Sequence, residues 1–173
     1  MNPCGIGRPW KYDSVSRIRQ NHRTAYGPFG RNKVDFGQGF YLTNLHEQAV
    51  KWAKVVAFKK SLDKAFVSEY NFDESRLEAL GLRYKKFQAY DMEWLDYVID
   101  CRNGGNLQNQ YDVIDGGVAN DNVIDTVENY ENGIITAEQA LGQLQYKKVN
   151  HQICVRSQDV LDQLLQFVRW EEV

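Results

Sequence analysis

From residue 35 onward the chain alternates between stretches of period two and stretches of helical period, and the two periods mark out its elements. Gly39-Phe40-Tyr41-Leu42-Thr43 predicts a short strand opened by a glycine turn. Asn44 then offers an N-cap for a helix over 45–59, where Leu45, Ala49, Trp52, Ala53, Val56 and Ala57 recur at helical spacing. Phe66 to Phe72 alternates as a strand, followed by a short helix around Leu77 and a strand near 82–87. Trp94, Leu95, Val98 and Ile99 predict a helix over 91–102 that ends before Gly104-Gly105. Tyr111-Asp112-Val113-Ile114 reads as a buried strand closed by Gly116-Gly117. Helices follow over 121–131, stopped by Asn132-Gly133, and over 136–145, capped by Thr136. His151 to Arg156 is a strand, Ser157 caps a last helix, and Phe167 to Glu171 adds an edge strand. Strands and helices mix without a βαβ rhythm, which predicts an α+β fold.

Residues 1–34 carry a different pattern. They hold all three prolines (Pro3, Pro9, Pro28), seven Lys or Arg, and no hydrophobic period. Loops with one short helix are expected there. The chain therefore divides into an atypical N-terminal segment, 1–34, and a folded domain, 35–173.

The bulk numbers constrain this picture without redirecting it. The 173 residues suit one domain, and 43% hydrophobic with 25% charged residues is ordinary for a soluble globular protein. A net charge of −2 gives no pull toward nucleic acid or an anionic membrane. The basic run Arg83 to Lys86 reads as a solvated strand face. Cys4, Cys101 and Cys154 are scattered and form no CxxC pair, which fits free thiols in a reducing compartment. No signal core and no apolar stretch of spanning length occurs, so a cytoplasmic location without membrane contact is expected.

Candidate chemistry concentrates in Asp35-Phe36-Gly37-Gln38-Gly39-Phe40-Tyr41-Leu42-Thr43. Gly37 and Gly39 let a backbone approach a ligand closely, the Phe40–Tyr41 pair offers an apolar surface, and Thr43 offers a hydroxyl. Elsewhere the simpler readings are preferred. His46 sits on a solvated helix face, His151 is a packed or capping imidazole, and Trp52 and Trp94 are core. Asp112, Asp115 and Asp121 surround a glycine turn as caps, and no metal is needed to explain them. Ser157 has no GxSxG setting, which leaves a hydrolase triad unsupported.

Asp35-Phe36-Gly37-x-Gly39-Phe40-Tyr41-Leu42-Thr43, followed by Glu47-Gln48-Ala49-x-x-Trp52-Ala53, is similar to a bacterial family catalogued as domain of unknown function 3990. The likeness continues through Glu93 to Val98, Arg102, Tyr111-Asp112-Val113 and Gly116-x-Val118-Ala119-x-Asp121-x-Val123, and ends at His151-Gln152-Ile153-Cys154. These blocks keep the family's order over about four fifths of the chain. The family looks like a divergent branch of the ADP-ribosyltransferase superfamily. That resemblance implies two small sheets forming an NAD cleft, with surrounding helices. It implies that Tyr41 stacks on the nicotinamide and that Gln152 contacts the nicotinamide ribose. Asp35, Gly37, Gly39, Phe40 and Thr43 would line the site. NAD would be the substrate, ADP-ribose would pass to a macromolecule, protein or nucleic acid, and a small neutralising protein of the toxin–antitoxin kind would be a partner.

Two departures from the pattern bear on activity. Gln152 stands where the superfamily carries a Glu, and an amide brings no charge to offset a developing cation. The family's first strand ends in Tyr-His-Gly, whereas Met1 to Trp10 holds no His. His22 and Arg8 are poor substitutes by position, and the sequence reads as though that strand were lost or replaced, leaving a sheet edge unpaired. The alternative expectation is therefore a non-catalytic relative that binds a nucleotide or a protein.

Overall fold

A computed structural model describes residues 13–14, 34–119 and 123–173. The described strands are β1 (Asp13–Ser14), β2 (Phe40–Thr43), β3 (Phe66–Phe72), β4 (Tyr84–Lys86), β5 (Val113–Gly117), β6 (His151–Val155) and β7 (Leu165–Glu172). The described helices are α1 (His46–Lys59), α2 (Arg76–Ala79), α3 (Met92–Arg102), α4 (Ile124–Glu131), α5 (Ala137–Leu144) and α6 (Gln158–Leu164), with a 3-10 turn at Leu107–Gln110. The fold is mixed α+β.

Two small sheets make up its framework. One is β4-β5-β6-β2, the other is the β3-β7 pair, and the two residues of β1 lace them into one order, β4-β5-β6-β2-β1-β3-β7. β1 pairs with β2 at Leu42 and with β3 at Ser68 and Val67. The expectation of loops and one short helix across 1–34 is thus corrected at Asp13–Ser14, whose backbone completes a ladder between β2 and β3. Cys4, Arg8 and His22 lie outside the described residues, as does Asp121.

Side chains of successive strand residues point to opposite faces, so the four-stranded sheet builds two cores. On one face Ile114 and Cys154 pack with Phe36, Phe87 and Tyr97 beneath α3, α4 and α5. Trp94, Leu95 and Val98 of α3 are fully buried there, each worth about 1.5–3 kcal/mol of transfer free energy. On the other face Phe40, Leu42, Val113, Ile153 and Val155 pack with Tyr70, Phe72 and the apolar side of α6. A third cluster sets α1 on β3, where Ala49, Ala53 and Ala57 lie against Val67. Trp52 is half-buried, outside that alanine seam.

Two local expectations are corrected. Asn44 does not cap α1: Leu45 occupies the cap position, and the Thr43 hydroxyl accepts from the Leu45 N–H at 3.1 Å. β5 starts at Val113 rather than at Tyr111, and Gly116 and Gly117 are its last two residues, as expected. A Cβ at Gly116 would sit 2.9 Å from the Phe36 ring, and one at Gly117 would sit 2.2 Å from the Tyr90 ring. Glycine here makes room for aromatic rings pressed on the strand.

Candidate functional site

The turn ahead of β2 is held by the chain's own groups. The Gly37 N–H donates to the Val34 carbonyl at 2.9 Å, and Gly37 takes a positive φ of 72° that a side chain would strain. The Tyr41 hydroxyl accepts from the Phe36 N–H at 3.1 Å and donates to the Gly37 carbonyl at 2.6 Å. The Gln108 Oε1 accepts from the Gln38 N–H at 3.0 Å, and from the Arg156 guanidinium at 2.9 Å. A Cβ at Gly39 would meet the Cys154 Sγ at 2.4 Å and the Val155 carbonyl at 2.8 Å. The freedom of both glycines is thus used by close contact within the protein.

Asp35 is carried inward by this turn and is buried. Its Oδ1 accepts from the Arg102 Nε and Nη2 at 3.0 and 2.8 Å. Its Oδ2 accepts from the Ala119 N–H at 2.8 Å and from the Gln152 Nε2 at 3.3 Å. Four separate sequence blocks therefore meet on one carboxylate, which joins the end of α3, the segment after β5, and β6. Arg102 balances the charge that burial would otherwise make costly.

β2 and β6 are antiparallel neighbours, with Thr43 opposite Gln152 and Tyr41 opposite Cys154. Those four side chains share a face. Thr43 and Gln152 are both buried, and the Thr43 hydroxyl also reaches the Gln48 Oε1 at 3.3 Å. Burial holds the Tyr41 hydroxyl well above the usual phenol range, with Cys154 and Asp35 adding to the effect, so Tyr41 stays a neutral donor. Phe40 belongs to the opposite face, edge-on to Tyr70 at 6.0 Å between ring centroids. The adjacent aromatics therefore do not form one surface. Asp35, Gly37, Tyr41, Thr43 and Gln152 are brought together, and Phe40 is not.

A second polar centre lies across the sheet. Asp115 is fully buried, and its carboxylate meets the His151 Nδ1 at 2.9 Å, the Tyr84 hydroxyl at 3.1 Å and the Lys86 Nζ at 3.2 Å. Burial, with Asp115 and Glu74 alongside, raises the Tyr84 hydroxyl far above its ordinary range. Asp112 instead pairs with Arg83, whose hydrogen bonds hold its carboxyl below the usual range. The solvated basic face expected at Arg83 to Lys86 is thus a set of ion pairs, completed by Lys85 with Glu93. Likewise His46 pairs with Glu171. Among the described residues no group of three or more His, Cys, Asp or Glu is placed to hold a metal.

Sequence reasoning gave no role to Arg102, Ala119 or Gln108. Arg102 was signalled only as one position of the family likeness, in the last turn of a helix whose Trp94, Leu95, Tyr97, Val98 and Cys101 are buried.

The fold and this site define a mixed α+β domain in which polar atoms from separate segments converge on a buried carboxylate paired with Arg102. The family model described as "Protein of unknown function (DUF3990)" matches residues 23–167, and the chain belongs to that family. No curated protein and no solved structure matches the chain. No described helix is long and apolar enough to cross a membrane.

Proposed function

We propose that this protein is an ADP-ribosyltransferase-like NAD-binding domain, with the nicotinamide-ribose end of NAD held against β2 and β6. The observation that supports this reading is the register that sets Thr43 opposite Gln152, with Tyr41 on the same face and β1 flanking β2 on its other side. The resemblance to the transferases assigns the nicotinamide contact to Tyr41 and the ribose contact to Gln152, and this register sets the two on one face of neighbouring strands. In the reaction, the bond between the ribose C1′ and the nicotinamide nitrogen breaks, and nicotinamide leaves with the bonding electrons. A nucleophile on a macromolecule forms the new bond at C1′ and loses its proton. Thr43 and Gln152 would supply hydrogen bonds to the ribose, and Tyr41 would supply a ring for the nicotinamide.

Gln152 also favours a second reading, in which NAD binds without efficient turnover. A neutral amide forgoes electrostatic stabilisation of the cation-like transition state, a contribution worth about 2.7–4 kcal/mol, or a hundred- to thousandfold in rate. Calorimetric titration of the purified chain with NAD, beside chromatographic assay of released nicotinamide, tests both. Binding that Thr43→Val and Gln152→Leu each weaken about tenfold is the expected result. Binding with nicotinamide release marks the transferase or glycohydrolase. Binding without release marks the non-catalytic relative, and a folded chain that binds no NAD overturns the proposal.

A further inference from the structure

We infer that Asp35 is a positioning residue for Gln152: it fixes the amide in one orientation, with the Nε2 turned inward and the Oε1 left as the group that a ligand meets. This inference rests on the proposed NAD site but deepens it, because it assigns the polarity of the ribose contact. A glutamine side chain has a donating and an accepting end, and only its partners decide which end faces where. Here the decision is made by a carboxylate that has no hydrogen to give. Asp35 takes two hydrogen bonds from Arg102 and one from the Ala119 N–H, so it can offer Gln152 only an acceptor. The 3.3 Å contact from the Gln152 Nε2 satisfies that requirement. A flipped amide would set two oxygens against each other in a buried place. The end that remains for a ligand is an acceptor, which selects a donor such as a ribose hydroxyl.

The same geometry accounts for glutamine, and not glutamate, at residue 152. A glutamate there would bring a second carboxylate within hydrogen-bond reach of Asp35, and Arg102 can balance one charge, not two. Among the described residues, the other titratable groups that feel the charge of Asp35 are Tyr41, Tyr90 and Cys101, acids that carry no positive charge in either protonation state. Asp35 and Gln152 thus act as a pair in which the negative charge sits one hydrogen bond behind the ligand-facing group.

A double-mutant cycle separates this inference from the NAD reading, since its first measurement needs no ligand. Thermal unfolding is followed for the full chain and for Gln152→Glu, Asp35→Asn and the double variant. Gln152→Glu is expected to lower the midpoint by roughly 5–10 °C at pH 7.5 and by less than half as much at pH 5, where one of the two carboxyls takes a proton. The double variant, in which the asparagine amide can donate to the new carboxylate, is expected to recover most of that loss. Additive effects of the two substitutions, or a Gln152→Glu loss that does not change with pH, overturn the pairing. The second measurement is binding of NAD and of ADP, which lacks the nicotinamide ribose. Asp35→Asn lets the amide turn, and is expected to weaken NAD about tenfold while leaving ADP unchanged. Equal weakening of both ligands makes Asp35 structural only and overturns its positioning role. A coupled cycle in a chain that binds neither ligand keeps the orientation and removes the NAD reading alone.

Discussion

The Sγ of Cys154 sits behind Gly39, within the core that packs under α3, and is wholly buried. Burial pushes its thiol up to about 12, and Cys101 in the same cluster is pushed up to about 12 for the same leading reason. A thiol is the unreactive form, and the thiolate is the nucleophile. Both side chains are therefore protonated throughout the neutral range and shielded from reagents. Iodoacetamide at pH 8 is expected to leave Cys101 and Cys154 unmodified in the folded protein, and to modify both in 6–8 M urea, an ordinary unfolding range for about this chain size. Peptide mass mapping reads the difference. Rapid modification of Cys154 in the native chain would show that the Gly39 turn opens, and would weaken the view of that turn as a rigid wall of the site.

At the scale of elements, β5 is the strand on which the sheet depends. It carries a wholly buried carboxylate at Asp115 and is the partner of both β4 and β6. Asp115 is tied to β4 through Tyr84 and Lys86, and to β6 through His151. Removing one member of a buried ionic cluster leaves the others desolvated, at a cost of about 3–5 kcal/mol. Lys86 is partly exposed, so the lower end applies: Asp115→Ala is expected to cost about 3 kcal/mol in urea unfolding. A loss under about 1 kcal/mol would mean that the cluster is solvated in solution. β5 also shows what a sequence tells and withholds. Its apolar Val113-Ile114 start, the Thr136 and Ser157 caps and the alternation of β3 are local signals, and each is present in the structure. Gly116 and Gly117 do end β5, but the rings of Phe36, Phe87 and Tyr90 pressed on them come from elsewhere in the chain and leave no local signal. Asn44 fails as a cap because α1 starts one residue later than expected, with Leu45 at the cap position and its N–H held by the Thr43 hydroxyl. The site was legible as ordered blocks, but their meeting at Asp35 depends on contacts 67 to 117 residues apart in the chain.

Across the whole molecule, the four-stranded sheet and the β3-β7 pair are joined through the backbone of β1. The joint is narrow: Asp13 faces Leu42 on one side, while Asp13 and Ser14 face Ser68 and Val67 on the other. Side chains reinforce it, since Phe40 of β2 meets Tyr70 of β3 and both belong to the core completed by α6. The described members of that core and of the one under α3 lie beyond Val34. A chain beginning at residue 35 keeps these described core residues but loses the ladder between β2 and β3, and two strand edges are left facing each other without a partner. Such a chain is expected to retain its far-ultraviolet circular dichroism and to unfold at a lower temperature. It is also expected to self-associate more strongly in sedimentation velocity, because unpaired edges recruit other strands. If it instead matches the full chain in both stability and mass, β1 contributes little, and packing between Phe40, Tyr70 and α6 alone unites the two sheets. If it loses its secondary structure, the segment 1–34 is part of the domain's folding unit, and the division of the chain at residue 35 has to be withdrawn.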